Sequence, residues 1–261
     1  MELRALGATG LQVSPVGLGT VKFGRNQSVN YPHSFTLPSD QDALALLNLA
    51  WELGVNLLDT APAYGVSEER LGRLLRQCQR EWVIVTKVGE EFDNGVSRFD
   101  FSAAATRASV ERSLRRLGVE TLDAVLIHSN GDDLPILEQA AVLPTLRDLQ
   151  RAGWVRTVGM STKTVAGGRR AVECCDIVMV TYNLAHQEEL PVICAAQAAG
   201  KGVLIKKGLS SGHLDPSVAD PVWAALRLIY AEPGVSSLVV GTLNRDHLRA
   251  NVAAAERMPL R

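Results

Sequence analysis

The chain has 261 residues, 46% of them hydrophobic and 21% charged, and carries a formal net charge of −1. That is ordinary globular composition with no cationic excess for a phosphate backbone or an anionic bilayer, so neither nucleic acid nor a membrane is expected as a partner. The segment from Met1 to Thr20 lacks a basic stretch leading into an apolar one, and no run approaches the roughly 18 apolar residues of a membrane span, so a cytoplasmic location is expected.

From the N-terminus, Arg4 to Val13 sets polar and apolar residues around a glycine-bearing turn, which predicts a hairpin. Beyond it, short apolar β-branched runs alternate with longer amphipathic segments. Strands are predicted at Val16–Gly19, Asn56–Asp59, Val83–Lys87, Ala124–His128, Thr157–Ser161, Ile177–Thr181, Val203–Lys206 and Ser237–Val240. Most are nearly continuous apolar runs, the pattern of parallel strands covered on both faces. Between them, Asp40 to Leu53 places Leu44, Leu47 and Leu53 on one helical face, with Gly54 to stop it. Ser67 reads as an N-cap before Glu68 and Glu69, opening a helix through Cys78. Ser102 to Leu117 ends at Gly118, Leu143 to Arg151 at Gly153, and Leu190 to Ala199 at Gly200; Asp220 to Tyr230 and Arg245 to Ala255 complete the helices.

Eight strand-helix units predict an α/β fold, a closed (β/α)8 barrel of the TIM type, which usually takes about 250 residues. The competing open sheet calls for a GxGxxG turn after the first strand, and Gly17-Leu18-Gly19-Thr20 does not reach a third glycine. No linker or low-complexity stretch interrupts the pattern, so one domain is expected over residues 1–261. Cys78, Cys174, Cys175 and Cys194 have neither CxxC spacing nor a histidine at zinc-ligand distance. They are expected as buried, reduced thiols on helices, and no metal is assigned.

Working residues of such barrels sit at the carboxyl ends of strands. There the sequence offers Asp59, Tyr64 five residues on, Lys87 and His128. Each alone has a plainer reading, as a loop cap, a solvated lysine or a hydrogen-bonded packing histidine. Together they point to chemistry. A carboxylate beside a lysine keeps the ammonium charged, and a charged lysine beside a phenol lowers its pKa from about 10, which suits Tyr64 as a general acid.

The run Asn56-Leu57-Leu58-Asp59-Thr60-Ala61-Pro62-Ala63-Tyr64-Gly65-Val66-Ser67-Glu68-Glu69-Arg70-Leu71-Gly72 resembles the DTAxxYGxSExxLG signature of the aldo-keto reductases. Val85-Thr86-Lys87-Val88-Gly89 resembles their third-strand lysine motif and Leu126-Ile127-His128-Ser129 their fourth-strand histidine, and the resemblance extends from Leu6 almost to the chain end. It implies an oxidoreductase in which Tyr64 protonates a carbonyl oxygen as NAD(P)H delivers hydride to the carbon. Lys87, held by Asp59, would tune the tyrosine, and His128 would orient the carbonyl.

The resemblance also implies a cofactor along the upper rim, beside Gly19 and Thr20. Ser161 and Thr162 would face the carboxamide, with Thr162 in place of the family's asparagine. Met179 stands where a glutamine is usual, and Lys206 where a tyrosine stacks on the nicotinamide. Lys206 or Lys207 would instead approach a phosphate or the substrate, or snorkel to solvent. Gly241, Thr242, Asn244, Arg245 and Asn251 align with the adenosine-phosphate site, with Gly241 and His247 in the places of a lysine and an arginine that often grip a 2′-phosphate. NADP(H) is expected, with NAD(H) as the alternative.

The expected substrate is a small aldehyde, ketone or quinone in an open site, and a monomer is expected. The pocket would be built from Val21 to Ser39, the neighbourhood of Trp82, and Ser129 to Leu143, with Phe23, Tyr31 and Phe35 as an apolar wall. Two other functions compete. One is a nicotinamide-binding regulatory or sensor protein with little turnover, which the departures at Met179 and Lys206 leave open. The other is a barrel hydrolase pairing His128 with Asp132 or Asp133.

Overall fold

The computed structural model describes residues 1–78, 80–215 and 217–258. A hairpin of β1 (Arg4–Ala5) and β2 (Gln12–Val13) leads into β3 (Val16–Gly19), α1 (Val21–Gly24), α2 (Asp40–Glu52), β4 (Leu57–Asp59), α3 (Ser67–Cys78) and β5 (Val83–Val88). A second hairpin, β6 (Glu90–Asp93) with β7 (Val96–Phe99), precedes α4 (Ala103–Leu117), β8 (Leu122–His128), α5 (Asp133–Glu138), α6 (Val142–Arg151) and β9 (Val155–Ser161). The chain continues through α7 (Val165–Cys174), β10 (Ile177–Thr181), α8 (Leu190–Ala198), β11 (Gly202–Lys206), α9 (Pro221–Tyr230), β12 (Ser237–Val240) and α10 (Arg245–Glu256). The parallel strands β3, β4, β5, β8, β9, β10, β11 and β12 close in that order into a (β/α)8 barrel.

Alternation along the strands builds the barrel interior in layers. Leu57, Val85, Ala124, Leu126, Ile177, Met179 and Leu204 form an apolar cluster with Leu6, Leu11 and Val13 of the N-terminal hairpin, which thereby stops the barrel's lower end. Met179 belongs to this cluster and is buried. Side chains two residues further along a strand point the same way one layer higher. That rule lifts Asp59 above Leu57, Lys87 above Val85, His128 above Leu126 and Lys206 above Leu204, so the upper end carries charge where the lower end carries hydrocarbon.

The helices begin and stop for local reasons. Ser39 and Ser102 accept hydrogen bonds from the amides of Asp42 and Ala105, and Gly118 closes α4 in the left-handed region at φ 71°. Such caps satisfy amides that no helical carbonyl reaches. Ser67 departs from its expected capping role. It is the first residue of α3, and its hydroxyl joins Thr20 Oγ1 at 2.8 Å and Thr60 Oγ1 at 3.1 Å, tying that helix to the ends of β3 and β4.

The elements that escape the sequence pattern are α1, α5, α7 and the hairpin β6–β7. The cysteines are free thiols, but only Cys175 is fully buried and Cys194 is exposed, which corrects the expectation of four buried ones. Among the described residues no helix is long and apolar enough to cross a membrane, and no cluster of His, Cys, Asp and Glu could hold a metal ion.

Candidate active site

The charged layer meets at the mouth formed by the strands' carboxyl ends. Lys87 Nζ donates to Asp59 Oδ1 at 2.6 Å and to the Thr60 carbonyl at 2.8 Å, and both side chains of the pair are nearly closed to solvent. The Tyr64 hydroxyl donates to the other Asp59 oxygen, Oδ2, at 3.4 Å. The ammonium stands 4.7 Å from the centre of the Tyr64 ring, and the His128 ring meets that ring edge-on at 6.3 Å between centroids. Asp59, Tyr64, Lys87 and His128 therefore come together, three from strand ends and Tyr64 from the short turn after β4.

The electrostatics of Tyr64 run opposite to the sequence expectation. Burial, and then the negative charge of Asp59, push its hydroxyl well above the ordinary phenol value, with Tyr31 and Glu90 adding to the rise. The lysine's charge is taken up by Asp59, so the phenol stays a firmly protonated donor.

Glu90 is a site residue that the sequence reading missed. It begins β6, and its Oε2 lies 2.8 Å from His128 Nδ1, out of line with the ring N–H, which has no directed partner among the described residues. Ser97 donates to the other oxygen at 2.6 Å, and Arg25 Nη1 stands 3.8 Å from it. Burial opposes the ionised form, but His128, Ser97 and Arg25 together hold the Glu90 pKa at about 2. Burial in turn lowers the imidazole below its usual value despite Glu90, with the charges of Lys87 and Lys206 acting the same way. A signal for this hairpin was available in Asn94-Gly95, a type I′ turn pair whose φ values are 49° and 84°.

The pocket loops sort differently from expectation. Phe23 is fully buried in the core and walls nothing, and Trp82 packs edge-on against Trp51 just before β5, at the end of that strand remote from the mouth. Tyr31 and Phe35 do pack together at 5.6 Å with the Lys22 ammonium over both rings. Burial and the Asp59 charge push the Tyr31 hydroxyl up to about 12. Asp133 is buried and accepts from the amides of Lys163 and Thr164 and from the Ser129 and Thr164 hydroxyls. It braces two loops, and the His128 ring is not among its partners. A cleft of about 630 Å³ lies at the opposite end of the barrel, beside the N-terminal hairpin, and holds none of these mouth groups.

The sequence model of the Aldo/keto reductase family matches residues 15–221. The chain belongs to the aldo/keto reductase family. As a member it is an oxidoreductase, in a family that uses nicotinamide cofactors and acts on small molecules. A crystal structure described as an aldo-keto reductase from Pseudomonas aeruginosa superposes with a TM-score of 0.89 at 54% identity, covering 97% of this chain and 93% of that one. L-galactose dehydrogenase of Arabidopsis thaliana is 28% identical, covering 99% of this chain and 89% of its own length. Pyridoxine 4-dehydrogenase of Escherichia coli is 31% identical, covering 85% of each.

Among the rim residues expected beside a cofactor, two are glycines and one is an exposed arginine. Gly19 and Gly241 follow directly on the paired Leu18 and Val240; Gly19 is buried, with Val239 Cγ1 3.0 Å from where a Cβ would stand, and a Cβ on Gly241 would come within 3.0 Å of the Tyr31 hydroxyl. Arg245 is exposed in the first turn of α10. Other expected contacts are engaged within the protein. Thr20 donates to the Asp59 carbonyl, Thr162 donates to Glu189 at 2.9 Å, and Ser161 accepts from Lys206 at 2.8 Å. Thr242 accepts from the Asn244 amide, Asn244 caps α10 by accepting from Asp246 and His247, and Asn251 is buried on that helix. These residues shape the rim more than they face out from it.

Proposed function

We propose that the chain is an NAD(P)H-dependent reductase of small aldehydes and ketones on a single barrel domain, with Tyr64 as general acid. The observation that carries this reading is the dry contact of Lys87 with Asp59 directly under the Tyr64 hydroxyl. Gly19, Gly241 and Arg245 would hold the dinucleotide's phosphate side. Bound there, the cofactor supplies a hydride to the carbonyl carbon.

The protein's own residues handle the oxygen. As charge develops on it, the Tyr64 hydroxyl gives up its proton, because an alkoxide is far more basic than even a buried phenolate. Lys87 offsets Asp59, so the phenolate that forms does not stand beside an unpaired carboxylate. The Glu90 carboxylate favours a proton on His128 Nδ1 and steadies the ring when it takes a second one, so that Nε2 donates to the carbonyl oxygen. Both named relatives are dehydrogenases, and the same groups run that direction by taking the proton back.

Titrating NADPH and NADH into the protein, and then adding a carbonyl, tests the reading. Quenching of cofactor fluorescence with carbonyl-dependent oxidation supports a reductase. Quenching without oxidation would mean a sensor, and neither response would mean an unrelated barrel activity. Within this scheme Glu90→Gln is expected to lower kcat/KM about tenfold and to move to lower pH the fall in rate that accompanies loss of the second His128 proton, since losing the anion disfavours the imidazolium. A lower rate with that fall unmoved would leave Glu90 a merely structural residue.

A further inference from the structure

The mouth holds a third cationic side chain that the proposed reduction leaves without a task. Lys206 ends β11 two residues above Leu204 of the barrel interior, so it points inward. Its Nζ donates to Ser161 Oγ at 2.8 Å and to the Thr162 carbonyl at 2.5 Å. Ser161 is the register partner of His128 on the neighbouring strand. The ammonium thus reaches across β10 to within about one strand spacing, roughly 4.8 Å, of the strand that carries His128.

Both acceptors are neutral, which sets Lys206 apart from its neighbours. Lys87 has Asp59, and His128 has Glu90; Lys206 is in no ion pair among the described residues. The nearest anion to act on it, Glu189, is already engaged by the Thr181 amide and the Thr162 hydroxyl at 2.8 and 2.9 Å. An ammonium has three N–H groups, and one remains after Ser161 and Thr162 are served.

We propose that Lys206 recognises an anionic group on the substrate, so that this site takes short oxo acids: the carbonyl lies at Tyr64 and His128, and a carboxylate a few bonds away is held by Lys206. The proposal rests on the reductase reading above. It makes Lys206 a specificity-determining residue, and it gives a half-buried cation the anionic partner that the fold itself does not supply.

The pH behaviour follows from the groups around it. Burial lowers the Lys206 pKa to about 8; Glu189 on α8 and Asp133 on α5 oppose that, while Lys207 and Lys163 reinforce it. His128 faces it from β8, with Lys87 beyond. A bound carboxylate favours the charged amine, so preference for the anionic substrate holds below about pH 8 and fades as pH rises through that value.

The test compares succinic semialdehyde with its uncharged methyl ester under identical cofactor conditions, so that any effect on the cofactor cancels in the ratio. Wild type is expected to favour the carboxylate about tenfold to a hundredfold in kcat/KM, through KM. Lys206→Met is expected to bring that ratio near one, and Lys206→Arg to restore most of it. A ratio that Lys206→Met leaves unchanged overturns the proposal, the more specifically if the same variant weakens dinucleotide binding, which would assign the lysine to a cofactor phosphate. If wild type reduces neither aldehyde, the reductase reading fails by itself. Calorimetric titration with succinate and succinamide then decides: selective succinate binding lost in Lys206→Met upholds the anion site, and no such binding in wild type overturns it.

Discussion

Tyr64→Phe is expected to cut turnover by about a thousandfold while the Kd for NADPH stays within about twofold, because the substitution removes one hydroxyl and little volume. The hydroxyl's surroundings set the pH dependence that accompanies this. A general acid works while protonated, and burial and Asp59 hold the Tyr64 hydroxyl well above the ordinary phenol value. Above the pH at which His128 loses its second proton, reduction of an uncharged aldehyde by wild type is therefore expected to stay level up to about pH 10. Steady-state rates across the alkaline range check this. A decline near neutrality would mean that the lysine, not the carboxylate, governs the phenol. Retention of most turnover in Tyr64→Phe would remove the tyrosine from the mechanism altogether.

The second large effect is on stability. Lys87 and Asp59 are 1% and 5% exposed and meet at 2.6 Å. Lys87→Met leaves a buried carboxylate facing the hydroxyl of Tyr64 and no cation, and a broken pair of this kind costs about 3–5 kcal/mol. Denaturant unfolding of the variant should show that loss as a lower midpoint at unchanged slope. Adding Asp59→Asn to Lys87→Met should recover most of it, since the isolated charge is then gone. A double variant no more stable than Lys87→Met would place the cost in lost packing of the lysine's stem.

The barrel was legible because parallel strands leave a strong imprint: all eight strand runs fall within two residues of their expected ends. The elements that escaped did so for physical reasons. In α7, Gly167 and Gly168 depress helix propensity, yet they are what lets the helix close in; a Cβ on the first would strike the Asp133 side chain at 2.0 Å and on the second Val192 at 2.6 Å. The hairpin β6–β7 mixes Phe92, Val96 and Phe99 with charged and polar residues, without the strict apolar alternation that marks a half-buried one.

The site divided along a similar line. Asp59, Tyr64, Lys87 and His128 come together at the mouth, as their strand-end positions implied. What the sequence did not carry is where each partner's charge is spent. That Asp59 serves both Lys87 and Tyr64 depends on its two oxygens facing different ways. That Thr162 turns to Glu189 depends on a residue 27 positions away. Spacing within a motif has no access to either.

The alternation that stacks Asp59 on Leu57 and Lys87 on Val85 puts floor and chemistry in one reading frame. Inserting a single residue between Val85 and Lys87 would keep the floor but turn the lysine outward among the helices, with its neighbour taking the inward place. Strand length in this barrel is thus free to drift only beyond the reactive groups.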